Sequence, residues 1–414
     1  MVFLSIDSYK SKRSVCFLER ILFITGLVPN DQSVTSLNKN FMNAAADKFQ
    51  SLLIEGFKEN NCEIDIVSAP FIGSYPKYYK KLYYQPSMYN DNIKYVSFNN
   101  IWGVRNISRY FALKKLIKKE KLYSNNHVVI YSVHTPFVKL AKWIKKVNKK
   151  VKICLIVPDL PEFMNMNKKK TLIYKLGKRF DINIFYKNLK YIDCFSFVSK
   201  HQNIFLNKFN KPFVVVESIY NSINVDEIFK FNEKSRKQIV YAGSLNEKFG
   251  IKELIEAMKY VDNSAELILC GAGDLKNYVI DQTNKLSNIK YLGVLKRDEV
   301  INLLYGADIL INPRKNNEEY TKFSFPSKNM EYLSIGKPVV CYKLDGIPDE
   351  YDDFFFYPND ESVEALAEII NIVLSFTEEK LEKIKKNSVT FLKSSKTAVK
   401  STKKIIELLN DNVK

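Results

Sequence analysis

The residues whose types and order could do chemistry lie in the second half of the chain. They are Phe323-Ser-Phe-Pro-Ser-Lys-Asn-Met-Glu-Tyr-Leu-Ser-Ile-Gly-Lys-Pro-Val-Val340 and the strand-and-turn Ile309-Leu-Ile-Asn-Pro-Arg314 before it. Pro326 suits the first turn of a helix and Gly336 its exit, so the free N–H groups near Ser327 and Lys328 face an approaching anion. A helix start of this kind binds phosphate. Lys328 adds a point charge and Ser327 a hydroxyl donor. Glu331, one turn further in, supplies a carboxylate that can accept from two sugar hydroxyls. The same spacing also describes a charged surface helix whose Glu331 is merely solvated.

Two glycine-bearing turns follow earlier strands. One is Gly243-Ser-Leu-Asn-Glu-Lys-Phe-Gly250, in which Lys248 could meet a diphosphate; the other is Cys270-Gly-Ala-Gly-Asp274, with Gly273. Tyr291-Leu-Gly-Val-Leu295, with Gly293, ends a third strand. Glycine lets the backbone approach a ligand, and in open parallel sheets the carboxyl ends of the strands line the ligand crevice. Each turn alone also reads as an ordinary tight turn, so their joint placement carries the weight. None is a Walker loop or the G-x-G-x-x-G of dinucleotide enzymes.

Positioning these turns takes α/β units, and the apolar pattern supplies them twice by alternating short β-rich runs with 3.6-period segments. In the first half Ile21–Thr25 ends at Gly26, a helix follows with Phe49, Leu52, Leu53 and Phe57 on one face, and further strands run Ile64–Ser68, Val128–Tyr131, Ile153–Val157 and Phe195–Val198. Pro136 opens a crossover helix. The pattern restarts at Ile239–Ala242 after the polar stretch 221–237. Strands at Leu267–Cys270, Ile289–Leu292, Ile309–Ile311 and Val339–Tyr342 follow, and beyond Glu361 the chain reads as Lys-rich helices. The expectation is an α/β protein of two Rossmann-like, doubly wound domains facing a cleft. Residues 1–220 bind the acceptor, residues 221–395 the nucleotide-sugar, and 396–414 form a helix returning to the first domain.

With 414 residues the chain suits two domains of roughly 100–200 residues each. No run approaches the ~18 uncharged residues of a membrane-spanning helix, and charged residues interrupt the N-terminal apolar ones, so a cytoplasmic protein is expected. The six cysteines lie far apart and read as reduced packing residues. No His-x-x-x-His or Asp-x-Asp occurs, so neither a protein-held catalytic metal nor a cofactor is expected. A net charge of +19 attracts phosphates, nucleic acid or anionic lipid, and part of it also fits the codon bias of an AT-rich genome. No nucleic-acid recognition motif accompanies the charge. From Phe71 to Tyr84 aromatic and basic residues alternate, and a second basic stretch runs from Lys168 to Lys187. Both suit a lipid interface or sugar stacking, and equally a solvated loop with packing aromatics.

In order and type, Gly243…Lys248-x-Gly250, Gly271-x-Gly273, Tyr291-Leu-Gly293, Ala307-Asp308 and Pro326…Glu331…Gly336-Lys-Pro-Val resemble the nucleotide-sugar domain of glycosyltransferase family four. Gly26-Leu-Val-Pro29, Asn43-Ala-Ala-Ala46, Ala69-Pro-Phe-Ile-Gly-Ser-Tyr-Pro76 and Val157-Pro-Asp-Leu-Pro161 resemble the acceptor domains of bacterial members that build capsular, exopolysaccharide or O-antigen units. The resemblance implies the GT-B fold and a retaining, metal-independent hexosyl transfer. The donor would be a nucleotide diphosphate-sugar, a UDP-sugar favoured, and the acceptor a glycan, carried on a lipid diphosphate at the anionic inner face of the membrane.

It further implies that Glu331 holds the ribose, that Ser327 and Lys328 with the helix start hold the phosphates, that Lys248 neutralises the leaving diphosphate, and that Gly293 and Leu295 frame the base. Gly26, Gly243, Ser244, Gly273, Arg314 and Pro326 complete the donor set, and Asp159 joins Lys248 and Lys328 as catalytic. His134, Asn43 and Tyr75 are the acceptor-side candidates. Three positions depart from the family: Phe323 stands where the first glutamate of its Glu-x7-Glu motif falls, Ser244 where an arginine is frequent, and Pro158 where a histidine precedes Asp159. The competing readings are a GT-B epimerase, a silent scaffold and, from charge alone, a nucleic-acid binder.

Overall fold

The computed structural model describes residues 19–29, 44–86, 92–163, 172–222 and 235–410. Asn43 lies outside them. In the first domain β1 (Arg20–Thr25), β2 (Glu63–Ser68), β3 (Tyr83–Tyr84), β4 (Ile93–Tyr95), β5 (Phe98–Asn99), β6 (His127–Tyr131), β7 (Lys152–Val157), β8 (Cys194–Phe197) and β9 (Phe213–Val215) follow in turn. Seven of these form a parallel sheet in the order β4-β2-β1-β6-β7-β8-β9, and β3 and β5 make a separate antiparallel ribbon. Central strands such as β1 and β6 are apolar along most of their length because helices cover both faces of a parallel sheet.

The second domain holds β10 (Lys237–Ala242), β11 (Ala265–Cys270), β12 (Ile289–Tyr291), β13 (Ile309–Asn312), β14 (Val339–Cys341) and β15 (Phe355–Phe356), parallel in the order β12-β11-β10-β13-β14-β15. The fold is thus GT-B-like, with two Rossmann-like domains. Strand order reverses between β1 and β6 in the first sheet and between β10 and β13 in the second, and a crevice opens outside the carboxyl ends of strands at such a reversal.

The chain returns to its first domain at the end. The Ala398–Asn410 helix buries Ala398, Ile405 and Leu409 with Phe23, Leu53 and Phe57. A Cβ on Gly56 would overlap the Ala398 carbonyl, so glycine sets how closely this helix and Ala44–Glu59 approach. The domains also meet at Phe323, whose ring stacks on Phe163 (5.6 Å between centroids) and packs against Phe205 (5.4 Å). Gln202 Nε2 donates to the Phe323 carbonyl at 2.9 Å, and Ser199 Oγ to that of Lys322 at 2.6 Å.

Candidate functional site

The second sheet's crevice is floored by Gly243 after β10 and by Pro313-Arg314 after β13. The Ser327–Ile335 helix starts beside it, with Pro326 at its N-cap and Gly336, in the left-handed region at φ 77°, at its C-cap. A Cβ on Gly243 would overlap Lys328 Nζ, so only glycine there lets the ammonium lie against the strand end. Lys328 Nζ donates to Tyr241 Oη at 3.0 Å and stands 4.1 Å from the centre of that ring; Tyr241 Oη in turn donates to the Ser244 carbonyl at 2.7 Å. Burial draws the Lys328 pKa down to about 8; Glu331 and Cys270 oppose that shift and Arg314 adds to it.

Two further cations come to the same place. Lys248 Nζ lies 5.2 Å, and the Arg314 guanidinium and Lys328 Nζ each 6.0 Å, from the Phe249 ring centre. Arg314 also lies over Tyr320 at 4.6 Å and Lys248 at 5.5 Å. Burial lowers the Arg314 pKa. Three like charges so grouped repel by on the order of 1 kcal/mol per pair at an effective dielectric near 20. None of the three forms a salt bridge with a carboxylate among the described residues.

Glu331, one turn into the helix, is ion-paired with Arg297. Across the cleft Lys48, on the first domain's Ala44–Glu59 helix, feels both groups: desolvation lowers its pKa first, Arg297 lowers it further and Glu331 raises it. Its neighbour Asp47 has a carboxyl pKa raised to about 6 by burial, which an N–H bond from Val28 (3.4 Å) offsets in part. Asp159, with solvent-accessible atoms but crowded by surrounding protein, has its pKa raised by desolvation. Asp47 and Asp159 both act on buried Tyr131 at the end of β6, so the two carboxylates flank the first sheet's reversal point. Asp47 and Lys48 were not singled out from the sequence; the only signal was their place directly after Asn43-Ala-Ala-Ala46.

The remaining sequence candidates are distributed as follows. Ser327 is exposed at the helix start. Gly273 packs on the Leu245 carbonyl, Gly293 takes φ 73° with open space beside it, and Leu295 packs on the second domain's core. Gly26 lies in the first domain, where its N–H donates to Gln50 Oε1 at 3.2 Å and a Cβ on it would overlap the Phe71 ring. His134, at the N-cap of the Thr135–Val147 helix, is partly buried. Its Nε2 faces Arg109 Nη1 at 3.5 Å, its Nδ1 is closed off without a partner, and its ring sits between Phe71 and Phe137. Burial first, then Arg109, holds its pKa well below the ordinary value, so it stays neutral. Tyr75 belongs to a surface loop bridged to Ile101. Of the aromatic run from Phe71, Tyr79 and Tyr84 are core residues: β3 turns Tyr84 onto Phe98, and Tyr79 packs on Tyr84. Among the described residues no group of three His, Cys, Asp or Glu side chains is placed to hold a metal ion.

Residues 224–390 match the family model described as Glycosyl transferases group 1. The matched residues lie in the second domain. No curated protein matches the chain significantly. Among solved structures the chain resembles the lipopolysaccharide outer core galactosyltransferase WaaB in its apo form, at TM-score 0.63 and 14% identity over 94% of this chain and 99% of the other. It resembles sucrose-phosphate synthase from Thermosynechococcus elongatus at TM-score 0.61 and 12% identity, over 94% and 98%. Anabaena HepE in complex with UDP and glucose aligns at TM-score 0.57 and 13% identity, over 94% and 99%. At these identities the likeness establishes the fold, and the group 1 match over residues 224–390 supports glycosyl transfer.

Proposed function

We propose that the chain transfers a hexose, with retention, from a nucleotide diphosphate-sugar to a glycan acceptor. The observation that carries this reading is the convergence of Lys248, Arg314 and Lys328 on Phe249 without a partner carboxylate, at the reversal point of the domain that carries the group 1 match. A diphosphate fits that field, and Glu331, released from Arg297, accepts from the ribose hydroxyls. UDP is the favoured nucleotide, since one structural neighbour was solved with UDP and glucose.

Chemically the reaction needs no protein nucleophile. The bond from the anomeric carbon to the phosphate oxygen breaks, and the acceptor oxygen bonds to that carbon on the same face. The acceptor's proton passes to an oxygen of the departing diphosphate. The three cations and the helix N-terminus neutralise the developing charge in place of a metal, and Asp159 orients the acceptor hydroxyl from the opposite domain. Domain closure excludes water. The acceptor is a lipid-linked glycan of a bacterial surface polysaccharide, met at the inner face of the membrane.

The test is a thermal-shift screen against UDP-, GDP-, dTDP- and CMP-sugars with EDTA present. A ligand at about 100 times its Kd stabilises by about 2.7 kcal/mol, enough to raise the melting temperature measurably. One nucleotide class should shift the wild type, and shift Lys328→Ala and Arg314→Ala less at the same donor concentration. No shift with any donor, or equal shifts in the variants, would overturn the reading.

A further inference from the structure

Two helices of the first domain turn apolar stripes outward. On Arg105–Lys119 the inner face buries Leu113 and Ile117 around Arg109, which accounts for the packing of that helix. Ile107 and Phe111, a turn apart on the opposite side, are nevertheless 55% and 60% exposed. On Leu172–Asn188 the residues Leu172, Leu176 and Phe180, at i, i+4 and i+8, are 73%, 60% and 69% exposed. The helices are neighbours: Asn106 Nδ2 donates to Asp181 at 3.3 Å, and Trp102 stacks on Tyr174 at 6.3 Å. Ordinary monomers scatter such residues singly; a continuous patch marks an interaction surface.

Its charge chooses the partner. Arg105–Lys119 has no acidic residue, and Leu172–Asn188 has one, Asp181, turned inward to Thr135 Oγ1 at 2.9 Å. Against it stand Lys115 and Lys119, which continue the Ile107–Phe111 stripe along an open groove of about 670 Å³, and Lys175 and Arg179 beside Leu176. A second copy seated on this face by a two-fold axis would set cations against cations. An anionic bilayer takes both parts, the apolar stripe entering the headgroup boundary and the long basic side chains reaching phosphates.

We propose that this face docks the protein on an anionic lipid bilayer. Arg109 donates to the Pro70 carbonyl and Arg105 to that of Ile72, at 3.3 Å, so the helix start is pinned just past the end of β2. The patch therefore opens on the rim of the cleft, where a lipid-borne acceptor would enter; that link rests on the functional reading above.

The experiment is co-sedimentation of the full chain with phosphatidylcholine vesicles, with and without phosphatidylglycerol. Wild type should pellet with the anionic vesicles, less at high salt, and not with phosphatidylcholine alone. The variant Ile107→Glu/Phe111→Glu/Leu176→Glu/Phe180→Glu changes exposed side chains only; it should keep the wild-type melting temperature and lose binding at least about tenfold. Equal binding by variant and wild type, or no wild-type binding to anionic vesicles, overturns the proposal. So does a wild-type dimer in sedimentation velocity that the substitutions abolish without any vesicle binding. UDP-sugar thermal shifts, measured in parallel on both proteins, separate the two readings: vesicle binding without any donor shift leaves the docking face standing and removes the transferase.

Discussion

Lys328 concentrates the site's chemistry in one proton. Its ammonium lies over Tyr241 with a pKa drawn down to about 8, so near neutrality the charge that would meet a diphosphate is held by a narrow margin. A bound diphosphate supplies the missing counter-charge and raises that pKa, so donor affinity is fully present below about 8 and declines as pH rises through and above it. Calorimetric titration with a UDP-sugar between neutral and alkaline pH should show this decline. Lys328→Met should bind more weakly at neutral pH, by roughly 10-fold for one charge-assisted contact of about 1.5 kcal/mol or more, and lose the slope. A Lys328→Met profile that keeps the wild-type slope would assign the titration to another group. The residues that meet at Phe249 were legible in the sequence because Lys248 and Arg314 closely follow strands and Lys328 follows the helix-opening Pro326. Lys48 and Asp47 were not, because they reach the crevice from the other domain and no spacing along the chain encodes a distance across a cleft.

At the scale of elements, the long apolar strands announced themselves, as did the short β12 and β14, and other short strands did not. Each of β1, β6, β7, β10 and β11 contains an unbroken run of at least four apolar residues. By contrast β4, β9, β15 and the β3–β5 ribbon have two or three residues each, too few for a period to show. Phe323 is the instructive case. It stands where the family's motif has a glutamate, and in this fold its ring lies between Phe163 and Phe205 of the other domain. The short 3₁₀ turn Glu319–Phe323 that leads into the Ser327–Ile335 helix is thereby tied to the first domain. Phe323→Ala removes those contacts from a half-buried position and should cost about 1–3 kcal/mol, below the range for a fully buried phenylalanine. Scanning calorimetry should show a lower or split transition, and an unchanged single transition would show that the stack does not couple the domains. Phe323→Glu should be worse than alanine, because it sets a charge against two aromatic rings.

The whole molecule is held at the point where the chain crosses back. Lys396 lies between the Glu378–Ser395 helix of the second domain and the Ala398–Asn410 helix that packs on the first, and its peptide carbonyl accepts from Tyr220 N at 2.7 Å. Its side chain is 2% exposed and bonds Glu217, 3% exposed, and Glu350, each at 2.5 Å; Tyr351 Oη donates to the same Glu217 oxygen. Glu217 follows β9 at the end of the first domain, and Glu350 and Tyr351 belong to the second, so one ammonium joins both domains and the returning chain. Removing one partner of a buried pair leaves the other charge uncompensated, a loss of about 3–5 kcal/mol, whereas removing both together is far milder. Lys396→Met should therefore lower the melting temperature sharply, and Lys396→Met/Glu217→Gln should recover most of the loss. Glu350, about half exposed, can be satisfied by water and should not need matching. Because two domains need not unfold as one, calorimetry should follow both transitions, with UDP-sugar shifts measured alongside. The donor crevice contains none of these residues, so a variant that unfolds earlier and still responds to donor locates the damage at the crossover. A single variant that melts like wild type would show that the crossover holds without its ion pair.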